Sequence, residues 1–273
     1  MGVSLGILSH VSRAYRWLFM AEPLGYKPKL TNSFMAVYSA YLINLTIPRA
    51  GEVARASILS TYEDVPFDKG FGTIVAERVA DTIMLLLIIG AALVLEFEFI
   101  YNFLLEKFNT SVLLIGLLVL IIAGGIVFLF IKTSSSSIAL KLKNFINGLI
   151  EGTLSIFKMK KKWPFLFHTV FIWVMYLSMF YITTKALPEL QGITIGAVLI
   201  GFILASFSIA ATNGGIGSFP EAVVIAFTLF SISEDPSRAF GWIMWSAQTL
   251  IIIVFGGLSL LFLPIYNRKK TKL

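Results

Sequence analysis

Residues 111–131, "SVLLIGLLVLIIAGGIVFLFI", carry no charge over 21 positions. About 20 such residues are what a helix needs to cross the ~30 Å hydrocarbon core of a bilayer. A segment in lipid must satisfy its own backbone polar groups, which leaves helices and closed barrels. The other long apolar runs, "MLLLIIGAALVL" among them, lack the alternation of barrel strands. Hydrophobic residues make up 57% of the chain, charged residues 14%, and the mean hydropathy is +0.86, against about 25% charged in soluble domains. The expected fold is all-α, a polytopic membrane helical bundle forming one domain over residues 1–273.

The net charge of +7 is unevenly placed. Residues 132–162 hold seven lysines and one glutamate, and the tail "NRKKTKL" adds Arg268, Lys269, Lys270 and Lys272, so the rest of the chain sums to −3. Positive charge gathered in two non-spanning segments marks the cytoplasmic side, so the expected location is the plasma membrane, multi-pass, with a cytoplasmic C-terminus. This pattern disfavours nucleic acid as the partner. With no cysteine and only His10 and His168, neither a disulfide nor a metal centre is expected, and no cofactor. Residues 1–20 lack a basic leader and a cleavage site, so no separate signal peptide is expected. Because that stretch contains Ser9, His10, Ser12, Arg13 and Arg16, it reads as a helix end at the interface with both arginines snorkelling.

The pattern predicts helices to about residue 21, then at 31–47, 48–61, 68–95, 111–131, 163–185, 193–211, 219–232 and 239–265. An amphipathic helix is expected at 138–158, with Ile138, Leu142, Phe145, Leu149 and Phe157 on one face and Lys141, Asn144 and Glu151 elsewhere. The chain thus divides into a first half (about 1–131), a linker (132–162), a second half (163–265) and a basic tail (266–273). If 132–162 and the 21–30 loop lie on one side, residues 31–61 cannot cross once. They should enter and return as a hairpin tipped by "NLTIPRAGE". Residues 193–232, joined by "ATNGGIGSFPE", offer the same puzzle from the other side, although two full crossings also satisfy the count there. Paired broken helices in two halves are the sequence pointer to inverted-repeat transporters.

Charges inside these segments are costly. Arg49, Glu52 and Arg55 recur every three residues and can meet along one flank; "AERVADTIMLL" adds Glu77, Arg78 and Asp81, and the second hairpin adds Glu221. Three positive and four negative charges are nearly self-neutralising, which suits an ion-pair network fastening helices. The functional alternative is a polar cavity receiving a substrate headgroup. Pro48 suits the first position of a helix and Gly51 permits close backbone approach. A helix starting there would aim N–H groups at an anion, beside Arg49, a bidentate phosphate partner. Asn44 and Asn213 mark the two tips, and Gly214, Gly215 and Gly217 permit a sharp turn that lines a cavity or is buried by neighbours. His168, Gln248, Trp242, Trp245 and Lys185 read as interfacial or packing residues.

"NLTIPRAGEVAR", "ERVADTIMLLL" and "NGGIGSFPE", in that order, resemble the transmembrane region of lysylphosphatidylglycerol synthetases, over about residues 10–265. That region also occurs alone in flippase-like bacterial and archaeal membrane proteins. The resemblance implies a module moving a headgroup-charged lipid between leaflets. The cavity residues it carries over are Asn44, Pro48, Arg49, Gly51, Glu52, Arg55, Glu77, Arg78, Asp81, Gly214, Gly215, Gly217 and Glu221. Family members usually have another hydrophobic helix ahead of "RAYRWLFM". The soluble aminoacyl-transferase domain has no counterpart in these residues, so no enzymatic activity is inherited from the name. Expected partners are membrane lipids (an anionic or aminoacylated phospholipid, or a polyprenyl phosphate), with a homo-oligomer or a separate lipid-modifying enzyme as protein partner. The rival functions are an ion-coupled secondary transporter of a small solute using Glu52, Glu77 or Glu221, an enzyme on polyprenyl-phosphate sugars, and a non-catalytic partner subunit.

Overall fold

The computed structural model describes residues 1–107, 109–134, 136–137, 139–140, 143 and 159–268. Most of the expected amphipathic helix at 138–158, and Lys269, Lys270 and Lys272 of the tail, lie outside the described residues. Apolar sequence becomes helix throughout: α1 (Gly2–Ala21), α2 (Leu30–Thr46), α3 (Ala50–Glu63), α4 (Phe67–Leu95), α5 (Phe97–Lys107), α6 (Thr110–Thr133), α7 (Lys162–Thr184), α8 (Ile195–Ala211), α9 (Ser218–Thr228) and α10 (Glu234–Tyr266). Helix α4, α7 and α10 are each long and apolar enough to cross a membrane. Local capping fixes two of the starts: Asn109 accepts from the Ser111 N–H at 3.0 Å, and Thr194 from the Ala197 N–H at 3.2 Å.

The packing has a two-fold pattern. In the first half α2 packs on α3 and α3 on α4; in the second α8 packs on α9 and α9 on α10. Across the halves, α2 packs on α10 as α8 packs on α4, and α1 lies along α7. Exchanging α1–α4 for α7–α10 maps the first three pairs of contacts onto one another and the α1–α7 contact onto itself, as an inverted repeat requires.

Contacts at the helix ends fix which termini share a face. At one end Asn32, opening α2, and Asn267, following α10, exchange side-chain hydrogen bonds at 2.9 Å, Asn32 also reaches Glu63 at the end of α3, and Lys161 pairs with Glu22 at 2.8 Å. At the other end Phe99 of α5 stacks on Phe230 beyond α9, with centroids 4.5 Å apart, and Gly2 lies against Thr183 at the end of α7. Hairpin α2–α3 therefore enters and leaves at the first end, and α8–α9 at the second. The return arms are short: 14 residues of α3 and 11 of α9 span about 21 and 17 Å at 1.5 Å per residue, less than a bilayer core.

Several expectations change. Helix α1 is not an interfacial end with snorkelling arginines; Arg13 is 3% and Arg16 0% exposed, deep between α4 and α7. Two buried carboxylates make that burial tolerable. Residues 97–107, which fall between the helices expected at 68–95 and 111–131, form α5; Phe97, Ile100, Tyr101 and Leu104 already stand at helical spacing. Helix α3 begins at Ala50 rather than 48, so Pro48 lies in the turn, and α10 begins at Glu234 rather than 239. Trp245 is not simply interfacial, because its Nε1 donates to the Gly214 carbonyl at 2.8 Å.

Candidate functional site

The turn between α2 and α3 is shaped by two residues. Arg49 caps α3 in the left-handed region, φ 62°, and this αL kink reverses the chain within three residues. Gly51 lets the arms touch: a Cβ there would lie 2.1 Å from the Ala40 carbonyl oxygen. Its N–H donates to Asn44 Oδ1 at 2.7 Å, so the asparagine satisfies a free donor of the helix start. The hairpin is held at backbone contact, and Glu52 and Arg55 face α4.

There α4 presents Glu77 and, one turn on, Asp81, with Arg78 beside Glu77. Glu77 is fully buried and takes three arginines: Arg13 Nη1 at 2.7 Å and Arg16 Nη2 at 3.1 Å on Oε1, and Arg55 Nη1 at 3.1 Å on Oε2. Asp81 takes Arg13 at 2.6 Å and Arg16 at 3.0 Å, with Trp173 Nε1 donating at 3.4 Å. Helix α7 completes the network through Thr169, which accepts from Arg16 at 3.0 Å, and Tyr176, 3.5 Å from Arg13. Nearer the tip, Arg78 stands 3.7 Å from Glu52, both part-exposed.

Above this network Tyr41, Asn44, Glu52, Arg55 and Arg78 wall a small cleft. The space inside is about 10 Å³, no more than one water occupies, so the cleft is closed in this structure. Arg55 is 3% exposed, yet its Nε and Nη2 have no hydrogen-bond partner. These two nitrogens form the side-on edge of the guanidinium, the fork that matches two oxygens of a phosphate. Arg13 and Arg16 each keep an unpartnered Nε as well. Four arginines (13, 16, 55 and 78) thus face three carboxylates (52, 77 and 81), a surplus of one positive charge.

The expected site residues separate into three places. Asn44, Gly51, Glu52, Arg55, Glu77, Arg78 and Asp81 come together in the cleft and the network beneath it. Arg49 and Pro48 are exposed at the tip, so Arg49 does not join Glu52 and Arg55 on one buried flank. Asn213, Gly214, Gly215 and Gly217 form the other tip, with the three glycines at φ 69°, 75° and 72°. The tips meet: Asn213 Nδ2 donates to the Leu45 carbonyl at 3.1 Å. Glu221 stands apart, exposed and paired with Arg238 at 3.0 Å, so it does not balance the cleft arginines. The departure of Glu221 and Arg49 and the arrival of Arg13 and Arg16 turn the expected balance of one negative charge into one positive. The missed residues are Arg13, Arg16, Tyr41, Thr169, Trp173 and Tyr176; two arginines flanked by apolar turns in α1 were the available signal.

The chain is 25% identical to the UPF0104 membrane protein MJ1595 of Methanocaldococcus jannaschii, an alignment covering 86% of this chain and 75% of that protein. No solved structure matches it. The family model for the lysylphosphatidylglycerol synthase TM region matches residues 1–257, and with the helical bundle described above this places the chain in that family of membrane proteins.

Proposed function

We propose that the protein is a lipid translocator of the plasma membrane, carrying a phosphate-bearing lipid between leaflets through the cleft under the first hairpin. The observation that supports this best is the unpartnered side-on edge of Arg55, buried in the wall of a cleft with surplus positive charge. A buried charged donor without a partner is costly, and a phosphate oxygen pair removes that cost. Glu77 and Asp81 hold the arginines in register, while acyl or isoprenoid chains stay in lipid. Anionic phospholipids and polyprenyl phosphates both present the chemistry this edge takes; an aminoacylated headgroup would add a cation to a cleft already positive.

Movement follows from the two hairpins. Each reaches inward from its own end, and they touch at Asn213 and Leu45. Opening one arm exposes the cleft to one leaflet while the tip contact shields the other, the alternating access expected of paired broken helices. Cations outnumber acids at the end carrying Lys27, Lys29, Lys160, Lys161, Lys162 and Arg268, so that end is read as cytoplasmic. We read the protein as a carrier, not an enzyme: these charged side chains act on one another and on a bound headgroup.

The test is leaflet exchange in liposomes holding fluorescent phosphatidylglycerol and an impermeant quencher. Wild type should expose more than the outer-leaflet half of the probe. Arg55→Lys keeps the charge toward Glu77 and loses the planar fork, so exchange should fall about tenfold, the worth of ~1.4 kcal/mol, with the protein still folded. A protected half that wild type never opens, for anionic, aminoacylated and polyprenyl lipids alike, would overturn the reading in favour of solute transport.

A further inference from the structure

A second polar pocket lies at the end of the α1–α7 seam, between the last turns of α1, the stretch that follows it and Lys161 just ahead of α7, on the side of α1 away from the charged network. Tyr15, Phe19 and Glu22 fall at i, i+4 and i+7 on one face of α1 and the turn after it. With Tyr26, Lys27 and Lys161 they enclose a pocket of about 300 Å³ at the basic end of the bundle. That is the scale of a small-molecule site, far larger than the cleft. Lys161 pairs with Glu22 at 2.8 Å and lies 6.0 Å over the Phe19 ring. Lys27 is exposed and has no ion pair among the described residues, so the lining holds two lysines against one glutamate. The pocket is therefore net basic with an aromatic floor.

Its surroundings change in polarity with depth. Tyr15 and Phe19 pack on the His168 ring at 5.1 and 5.7 Å. From there Phe167, Val170 and Val174 run along α7 with 63%, 48% and 46% of their surface exposed, and Leu8 of α1 with 48%. A basic headgroup-sized pocket at the membrane surface, continued inward by an exposed apolar track, complements one kind of molecule: an anionic glycerophospholipid seated head at Lys27 and Lys161, chains along the seam. A soluble phosphate would use only the top of this arrangement.

We propose that the α1–α7 seam holds a resident anionic phospholipid, bound and not transported. The same two helices carry Arg13, Arg16, Thr169 and Trp173 on their inward faces and are tied by Ser12 to His168 Nδ1 at 2.8 Å. A lipid filling the outer side of the seam keeps the helix pair in the spacing that the inner network needs. The inference stands on residues separate from the cleft and survives if lipid translocation is disproved.

Native mass spectrometry of the detergent-purified full chain, titrated with phosphatidylglycerol or phosphatidylcholine, tests it. Wild type should hold one phosphatidylglycerol in preference to phosphatidylcholine, and neither glycerol phosphate nor inorganic phosphate should displace it. Lys27→Ala with Lys161→Ala should lose about fivefold in affinity per lysine. Tyr15→Ala, which leaves the lysines and shortens the track, should also weaken retention. Arg55→Lys should retain the lipid unchanged. Equal retention of both lipids, displacement by phosphate, or undiminished retention by the double-lysine variant would each overturn the proposal.

Discussion

The two halves share a topology and differ in what they bury. Beneath the α2–α3 hairpin lies an ionic network of Arg13, Arg16, Arg55, Glu77 and Asp81. Beneath α8–α9 lies an apolar cluster in which Phe180, Phe202, Phe227 and Phe240 meet edge to face, with Phe219, Val223 and Met244 around them. Lipid tails are as apolar as these side chains, so the second core rests on dispersion and close fit rather than on escape from water. Glycines permit that fit: a Cβ on Gly241 would lie 2.5 Å from Pro220 Cα, and one on Gly201 2.6 Å from Phe227 Cε1. One hairpin is thus packed as a scaffold. The other is packed around charges that cost free energy to bury, which is where a ligand has something to gain by binding.

The comparison can be broken most severely at Glu77. Glu77→Gln leaves three buried arginines with one carboxylate among them, and losing a buried partner costs roughly 3–5 kcal/mol. Folded, monodisperse protein should be largely lost in a detergent thermal-stability assay; a stable variant would mean water already neutralises the network. Phe227→Ala, fully buried in the other half, should cost stability on the order of 3–5 kcal/mol as a cavity, while the surviving protein keeps the lipid selectivity proposed for the cleft. Selectivity lost there would mean that the halves do not divide the labour. Asn213→Ala removes the tip contacts to the Leu45 and Thr46 carbonyls, so stability should fall by roughly 0.6 kcal/mol. Exchange should then become less tightly coupled between faces, read as increased leak of a small soluble dye.

The membrane class, most of the helices and the first hairpin were legible because each depends on local pattern: uncharged runs of spanning length, and a Pro/Gly/Asn break between two runs whose outer ends lie on one side. For residues 193–232 the same pattern left two full crossings open, and the contacts at the helix ends decide for the hairpin. The meeting of Asn44, Glu52, Arg55 and Arg78 was legible for a similar reason, since intramembrane charges must find partners. Which partners was not. Arg13 and Arg16 sit beside Ser9, His10 and Ser12 in a stretch too polar to read as a span, where snorkelling is the ordinary reading, and only the lie of α1 along α7 places them against Glu77 and Asp81. Glu221 shows the converse: Arg238 lies 17 residues further on and claims it, a pairing set by how α9 folds back on α10. The αL cap at Arg49 was also hidden, because positive φ at a non-glycine residue has no firm sequence signature.

The central claim is that the hairpin tips must part for the headgroup to pass. The natural chain has no cysteine, so Leu45→Cys with Asn213→Cys introduces a single thiol pair across the tip contact. Leaflet exchange should be measured in the reduced state, after cross-linking the pair with a short cleavable thiol reagent, and after cleaving it. The account predicts exchange near wild type when reduced, arrest when cross-linked, and recovery on cleavage. Undiminished exchange through cross-linked tips would contradict it.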